Sequence, residues 1–405
     1  MTDTRLRARS AVALFLGVAA SGMGYTMMVA VLPLAAEDLL GSPRWSGAPS
    51  ALATTGVAAG SVWLAALIAR RGRRSALAIG YWAAAVAACV AAFGAGTGAF
   101  AVLAVAIFLL GAGYSASRLS RYAAADLYEP DKRSAAIGWN VWAATIGSVA
   151  GPLLLASTGR ASESIGIPAV AGPFLVAAAA FAVSGLVLRL LYAASMPVEL
   201  PHGTAGRADE HVSPAGVRLS AVSLVVCQVV MVLIMTMTPV HIRHGGHGLD
   251  TVGVVFASHT FGMFALSPVA GLLADRVGRL PMIVLASLVL AGSGVMAAVS
   301  GPGSAWHATA LFLLGLGWCF GFVAASALLT ESAAPARRLR LQGAVDSCVW
   351  ASAAAAGLGS GVLLSAAGYA ALSQIGAVVA LVPLLLVRRG PAGGAAPAAA
   401  PDAPV

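Results

Sequence analysis

Met231 and Met235 stand four residues apart in one apolar run, and His259 and Met263 stand four apart in the next. On an α-helix that spacing puts both members of each pair on one face, one turn apart. If the first run leaves a bilayer near Val240 and the second enters near Thr251, a rise of about 1.5 Å per residue puts Met231 about 13 Å and His259 about 12 Å below the outer edge. Thioethers and an imidazole at one depth suit a soft cation, and Cu(I) is the metal that thioethers select. Neutral thioethers bind without losing a proton, whereas a thiolate cage would hold metal too tightly to release it. Protonating His259 would weaken the site. Methionine also fills irregular packing, but a histidine inside a membrane span is costly and usually faces the protein interior or a water-filled cavity.

Further candidate metal ligands surround this set. Cys227 extends the Met231–Met235 stripe one turn inward, Met23 and Met27 repeat the spacing in the first apolar run, and His241, His244 and His247 cluster just outside Val240. Each has a plainer reading as well: a small buried hydrophobe for the cysteine, packing for the methionines, a solvated loop for the histidines.

These residues need helices that cross a membrane. The chain is 59% hydrophobic and 10% charged, with a mean hydropathy of +0.89, outside the range of soluble domains. Apolar runs of about 20 residues fall at 11–33, 47–69, 75–95, 98–120, 134–156, 168–192, 216–240, 251–274, 281–300, 304–330, 343–366 and 369–387. This predicts an all-α membrane protein of twelve transmembrane helices. With both termini in the cytoplasm, all of the 24 Lys and Arg but Arg44, Arg160 and Arg243 lie inside, which orients the chain in the plasma membrane. The basic charge is thereby accounted for and no nucleic-acid partner is expected. Arg5, Arg7 and Arg9 mimic a signal peptide, but the apolar run after them is too long for one and is expected to stay as the first helix. Cys89, Cys227, Cys319 and Cys348 lie within predicted spans and form no C-x-x-C pair, so no disulfide framework is expected. No hydrolytic triad, phosphate loop or redox-cofactor motif is present, so neither an enzyme nor a prosthetic group is expected.

The chain repeats itself. Arg70 and Gly72 match Arg276 and Gly278, Phe108-Leu-Leu-Gly-Ala-Gly-Tyr114 matches Phe312-Leu-Leu-Gly-Leu-Gly-Trp318, Trp142 and Gly151 match Trp350 and Gly359, and Pro33 matches Pro239. All lie near one offset, so the unit is a duplicated six-helix bundle. The expected organisation is an N-terminal bundle at 1–192, a cytoplasmic linker at 193–215, a C-terminal bundle at 216–387 and a disordered cytoplasmic tail at 388–405. Glu199, His202, Asp209, Glu210 and His211 in the Pro- and Gly-rich linker need no role beyond solvation.

Twelve helices in two related halves, with G-x-x-x-D-R-x-G-R at Gly271 to Arg279, resemble the major facilitator superfamily. The resemblance implies that Asp275, Arg276 and Arg279 latch the cytoplasmic helix ends; in the N-terminal copy Ala69 stands where the acidic residue belongs. Gly147 and Gly151-Pro152 match part of the family's antiporter motif, but Leu155 and Ala156 replace the glycine pair that follows. Met-x-x-x-Met on the seventh span and His-x-x-x-Met on the eighth resemble a narrower branch, the CcoA-like copper importers. That resemblance implies copper, bare or as a small complex, as the substrate of a monomeric importer, bound by Met231, Met235, His259 and Met263. Proton-coupled efflux of drugs and a non-transporting membrane metal sensor are the alternatives. Asp346, just inside the eleventh span, is either an interfacial partner of Arg338 or Arg340 or a proton-coupling acid. Arg118, Arg121 and Tyr122, with Asp126, Glu129, Asp131, Lys132 and Arg133, are expected as a solvated cytoplasmic cluster, and Glu37 and Asp38 as solvated charges outside.

Overall fold

The structure is a computed structural model and describes residues 2–125, 127, 133–192, 213–332 and 335–387. The linker histidines and carboxylates, most of the charged loop after Ala125 and the C-terminal tail lie outside the described residues. In the N-terminal half the helices are α1 (Thr2–Leu40), α2 (Ala48–Thr97), α3 (Phe100–Ala125), α4 (Arg133–Leu153), α5 (Leu155–Glu163) and α6 (Gly172–Leu191). In the C-terminal half they are α7 (Pro214–His244), α8 (Leu249–Phe264), α9 (Ser267–Val277), α10 (Arg279–Val299), α11 (Ala305–Ser332), α12 (Pro335–Ala380) and α13 (Val382–Val387). Helices satisfy their backbone groups internally, which a chain in hydrocarbon must do.

Among the described residues, nine helical stretches are long and apolar enough to cross a membrane. Two of them, Pro43–Thr97 of 55 residues and Ala344–Val387 of 44, far exceed one crossing and are broken at Gly72 (φ +75°) and Gly368 (φ +79°). With those divisions and α4, the path accommodates the twelve expected crossings.

The backbone carries the duplication more clearly than the side chains do. Among the described residues, positive φ occurs only at eight glycines, and these fall into four pairs: Gly41 with Gly246, Gly72 with Gly278, Gly98 with Gly303, and Gly166 with Gly368. Their separations are 205, 206, 205 and 202 residues. Each is a turn where a side chain would be strained and glycine is not, so both halves reverse direction at equivalent points.

Within the halves, small residues let backbones touch. A Cβ on Gly56 or Gly60 would collide with the Phe108 or Ala112 carbonyl of α3, and one on Gly315 would collide with the His259 carbonyl of α8. Between the halves, α4 packs on α8, α2 on α12, and α1 on α7. Gly253 meets Pro152, Gly47 meets Gly357, and Gly361 meets Arg44, all toward the outer ends. At that same end Arg243 bonds Glu37 at 2.5 Å and Asp38 at 2.6 Å, and His244 bonds Glu37 at 2.5 Å. Glu37 and Asp38 are therefore not simply solvated. They are ion-paired across the two halves, and the halves are in contact at the ends expected to face outward.

Candidate functional site

Each half presents a stacked pair of rings. In the N-terminal half Tyr25 of α1 and Tyr114 of α3 stack at 3.8 Å between centroids with 4° between planes, and Phe181 of α6 meets Tyr114 edge-on at 6.2 Å. In the C-terminal half Trp318 and Phe322, one turn apart on α11, stack at 4.6 Å and 14°, with Phe264 of α8 edge-on to Trp318 at 6.2 Å. The Trp318 indole N–H donates to Gln228 Oε1 of α7 at 3.0 Å, which fixes the ring between α7 and α8. Those two helices also meet α1 and α4 of the other half. Tyr25, Tyr114, Trp318 and Phe322 are all half-buried near mid-span.

Tyr114 and Trp318 are equivalent residues of the two copies, 204 positions apart within the matched Phe-Leu-Leu-Gly-x-Gly-aromatic segments. Repetition has thus placed an aromatic ring at the same point of each half. Such faces stack on planar π systems, each contact worth about 0.5–1.5 kcal/mol beyond the area it buries.

Arg118 lies one turn inward of Tyr114. Its guanidinium sits over the ring of Trp350, on α12 of the opposite half, with 4.5 Å to the centroid, and within electrostatic reach of both Tyr25 and Tyr114. This corrects the expectation of a solvated cytoplasmic charge. Arg118 lies two residues from the end of the candidate membrane helix Phe100–Ser120, and α3 runs on to Ala125. Polar groups accumulate behind the tyrosines: Ser21 Oγ bonds Ser117 Oγ at 3.0 Å, and Ser120 Oγ bonds Asn140 Oδ1 at 3.4 Å.

The methionine and histidine residues share α11 as a neighbour but reach it from different helices. Cys227 of α7 fills the notch at Gly321, and the backbone at His259 and Met263 of α8 packs on Gly315. His259 is 2% exposed and its Nδ1 lies 2.9 Å from the Leu311 carbonyl of α11. Met235 and Met263 are buried, and Met231 is half-buried against the core. Met27 is fully buried, while Met23 is half-buried, its backbone held close to Gly147 and Gly151 of α4. The outer histidines take three separate directions. His241 stacks on Tyr369 at 4.0 Å, His244 bonds Glu37, and His247 lies over Gly303. Among the described residues, no three His, Cys, Asp or Glu side chains are grouped so as to hold a metal ion.

The Major Facilitator Superfamily matches residues 14–251 and again 219–405, one match for each copy of the repeat. The chain belongs to this superfamily. Among its relatives within it, the "Uncharacterized MFS-type transporter YdeG" of Bacillus subtilis (strain 168) is 36% identical over 384 residues, covering 91% of this chain and 89% of that protein. The "Riboflavin transporter RfnT" of Brucella anthropi is 30% identical over 410 residues, covering 98% and 100%. A bacterial homologue of the human lysosomal transporter Spinster, solved in an inward-facing and occupied conformation, shares the fold with a TM-score of 0.72 at 16% identity over 95% of each chain.

As a superfamily member the protein is a multi-pass membrane transporter and not an enzyme. Two of the three residues expected as a cytoplasmic latch, Asp275 and Arg279, pair within the C-terminal half. Arg279 bonds Asp275 at 2.6 Å and Glu331 at 2.9 Å, tying α9 and α10 to α11, while Arg276 is exposed. Asp346 is also exposed; the side chains of Arg338 and Arg340, its expected partners, lie outside the described residues. The aromatic faces were missed because Tyr114 and Trp318 served only as markers of the repeat. The signal was there: an aromatic ring at the equivalent position of both copies.

Proposed function

We propose that this transporter carries a planar aromatic organic solute through the space between its halves by alternating access. The observation that carries the reading is a stacked aromatic pair in each half, Tyr25–Tyr114 and Trp318–Phe322, built on the equivalent residues Tyr114 and Trp318. Rings orient a flat solute at little conformational cost, and a site near the middle of the membrane at the repeat interface can open to either side as the halves rock. The outer latch of Arg243, His244, Glu37 and Asp38 holds the present state shut from outside. The distribution of Lys and Arg supports both termini in the cytoplasm, and in this reading the transporter works as a monomer in the plasma membrane. No prosthetic group enters the cycle. The 30% identical riboflavin transporter supports a flat heteroaromatic cargo.

The test is uptake of radiolabelled riboflavin into proteoliposomes of the purified protein. Uptake by the wild type, saturable and reduced several-fold in Tyr114→Ala, supports the reading. Uptake equal in both, with competition by no other ring compound, counts against it.

Copper import through Met231, Met235, His259 and Met263 is a second reading, favoured by one contact. An Nδ1–H donated to the Leu311 carbonyl would leave His259 Nε2 with its lone pair available, the usual arrangement of a metal-ligating histidine. Elemental analysis of copper-limited cells separates the two readings, since only the copper reading has the wild type raise cellular copper and Met231→Ala lose that gain.

A further inference from the structure

Two imidazoles stand together at the outer end of the C-terminal half, and the transport reading uses neither. We propose that His241 of α7 and His307 of α11 form a binding site for a divalent transition-metal ion of the Zn2+ class, each ring giving its Nε2 atom. The site involves none of Met231, Met235, His259 and Met263, and it does not depend on the aromatic cargo.

Among the described residues, His241 Nε2 and His307 Nε2 are both enclosed and have no hydrogen-bond partner in the protein. Leaving an enclosed polar atom bare is costly, and two such atoms occur here on rings whose centres are 5.5 Å apart. His307 is fully buried. Its other nitrogen is committed: Ser300 Oγ gives its hydrogen to the Ala297 carbonyl, so it accepts the Nδ1–H of His307 at 3.1 Å. His307 Nε2 then carries the lone pair, and a hydrogen bond from the second nitrogen is the usual way of orienting a ligating imidazole. His241 is held by its stack on Tyr369, 4.0 Å away with 5° between planes, and the Tyr369 hydroxyl is fixed in turn against Thr238 Oγ1 at 2.9 Å. Half-buried in the last turn of α7, the His241 ring also reaches the outer surface, which gives an ion a way in.

The spacing agrees with shared ligation. A Zn2+ ion held by two Nε2 atoms at about 2.1 Å with a tetrahedral angle sets the ring centres about 5 Å apart. Imidazole suits Zn2+, Cu2+ and Ni2+ alike, and water completes the shell. The fold itself does not require imidazoles here. With Pro33 matched to Pro239 and Gly98 to Gly303, the equivalent residues of the N-terminal copy are Ala35 and Val102, so that half is built without a polar side chain at either point. An ion bridging α7 to α11 would tie down the turn of α7 that carries Arg243, two residues on from His241, and would thereby act on the outer contact between the halves.

The test titrates Zn2+ alone into the full chain in lipid nanodiscs by isothermal calorimetry, for wild type, H241Q, H307Q, H244Q/H247Q and H202Q/H211Q. The wild type is expected to bind the ion, and H241Q and H307Q should each weaken the tightest site about ten-fold or more. H244Q/H247Q and H202Q/H211Q remove the other outer imidazoles and those of the linker, and should leave that site unchanged. X-ray absorption of the wild type with one equivalent of Zn2+ should show two imidazole nitrogens at about 2.0 Å. If H307Q does not purify folded, H241Q, at the rim, carries the test together with the absorption measurement. No binding by the wild type, retention of the tightest site in either single variant, or its loss in either control pair overturns the proposal and leaves the cargo reading untouched.

Discussion

Arg243 and Glu37, 206 residues apart in the chain, meet at 2.5 Å across the outer ends of the two halves. Asp38 takes a second guanidinium nitrogen and His244 the other oxygen of Glu37. Glu37 is 11% exposed and Arg243 32%, so the pair is screened less than a surface ion pair. It is made only while the outside is closed. Removing it with Glu37→Gln should therefore favour the outward-open state by about 1 kcal/mol, a shift of roughly five-fold in population. Spin labels at the exposed positions Ser164 and Ala305 should report a larger fraction of long outer distances in the variant. An unchanged distance distribution would mean that the latch is ornamental to the cycle.

Close approach of α8 to α11 depends on Gly315. A Cβ there would collide with the His259 carbonyl, whereas a Cβ on Gly292 of α10 would meet nothing within 4 Å. Gly315→Ala should lower thermal stability in detergent by an amount typical of core overpacking, about 1–3 kcal/mol. Gly292→Ala should leave it level or slightly raised. Equal melting of the two variants would contradict the helix contact described.

Gly72 and Gly278 adopt the same extended, positive-φ conformation, at φ +75°, ψ 163° and φ +93°, ψ 161°. This region is open essentially to glycine alone, at a cost of about 1–3 kcal/mol for other residues. Alanine at either position should lower the yield of folded protein to a similar degree, measured by size-exclusion chromatography of extracts. A loss confined to Gly278 would show that only the complete motif, with Asp275 and Arg279, needs the turn.

Much of this fold was legible in the sequence because hydrocarbon leaves a chain few options. Twelve apolar runs and a repeat near 206 residues determine helices and duplication. The site was less legible, because spacing on one helix does not say which neighbour that face meets. His259 and Met263, for example, have their helix backbone packed on Gly315 of α11, and His259 is bonded to Leu311 there. Arg118 looked solvated because it stands near the end of its predicted span beside other charges, whereas Trp350 of the other half, remote in sequence, supplies a partner. Glu37 and Asp38 looked solvated because their partner, Arg243, is remote in sequence.

Copper content gives a separate check. In copper-limited cells, total copper should be the same with empty vector, wild type and Met231→Ala at equal protein levels, since the proposed cargo is organic. A rise with the wild type alone would move the function to the Met231 and His259 set.

The central claim is that the cargo is a flat aromatic solute seated on Tyr114. Untargeted mass spectrometry with ultraviolet detection, comparing the medium and contents of cells that express wild type or Tyr114→Ala at equal levels, tests it most directly. The account predicts that at least one compound with extended ring absorbance is redistributed across the membrane by the wild type and not by the variant. Redistribution of non-aromatic solutes alone, or identical profiles for the two proteins, would contradict it.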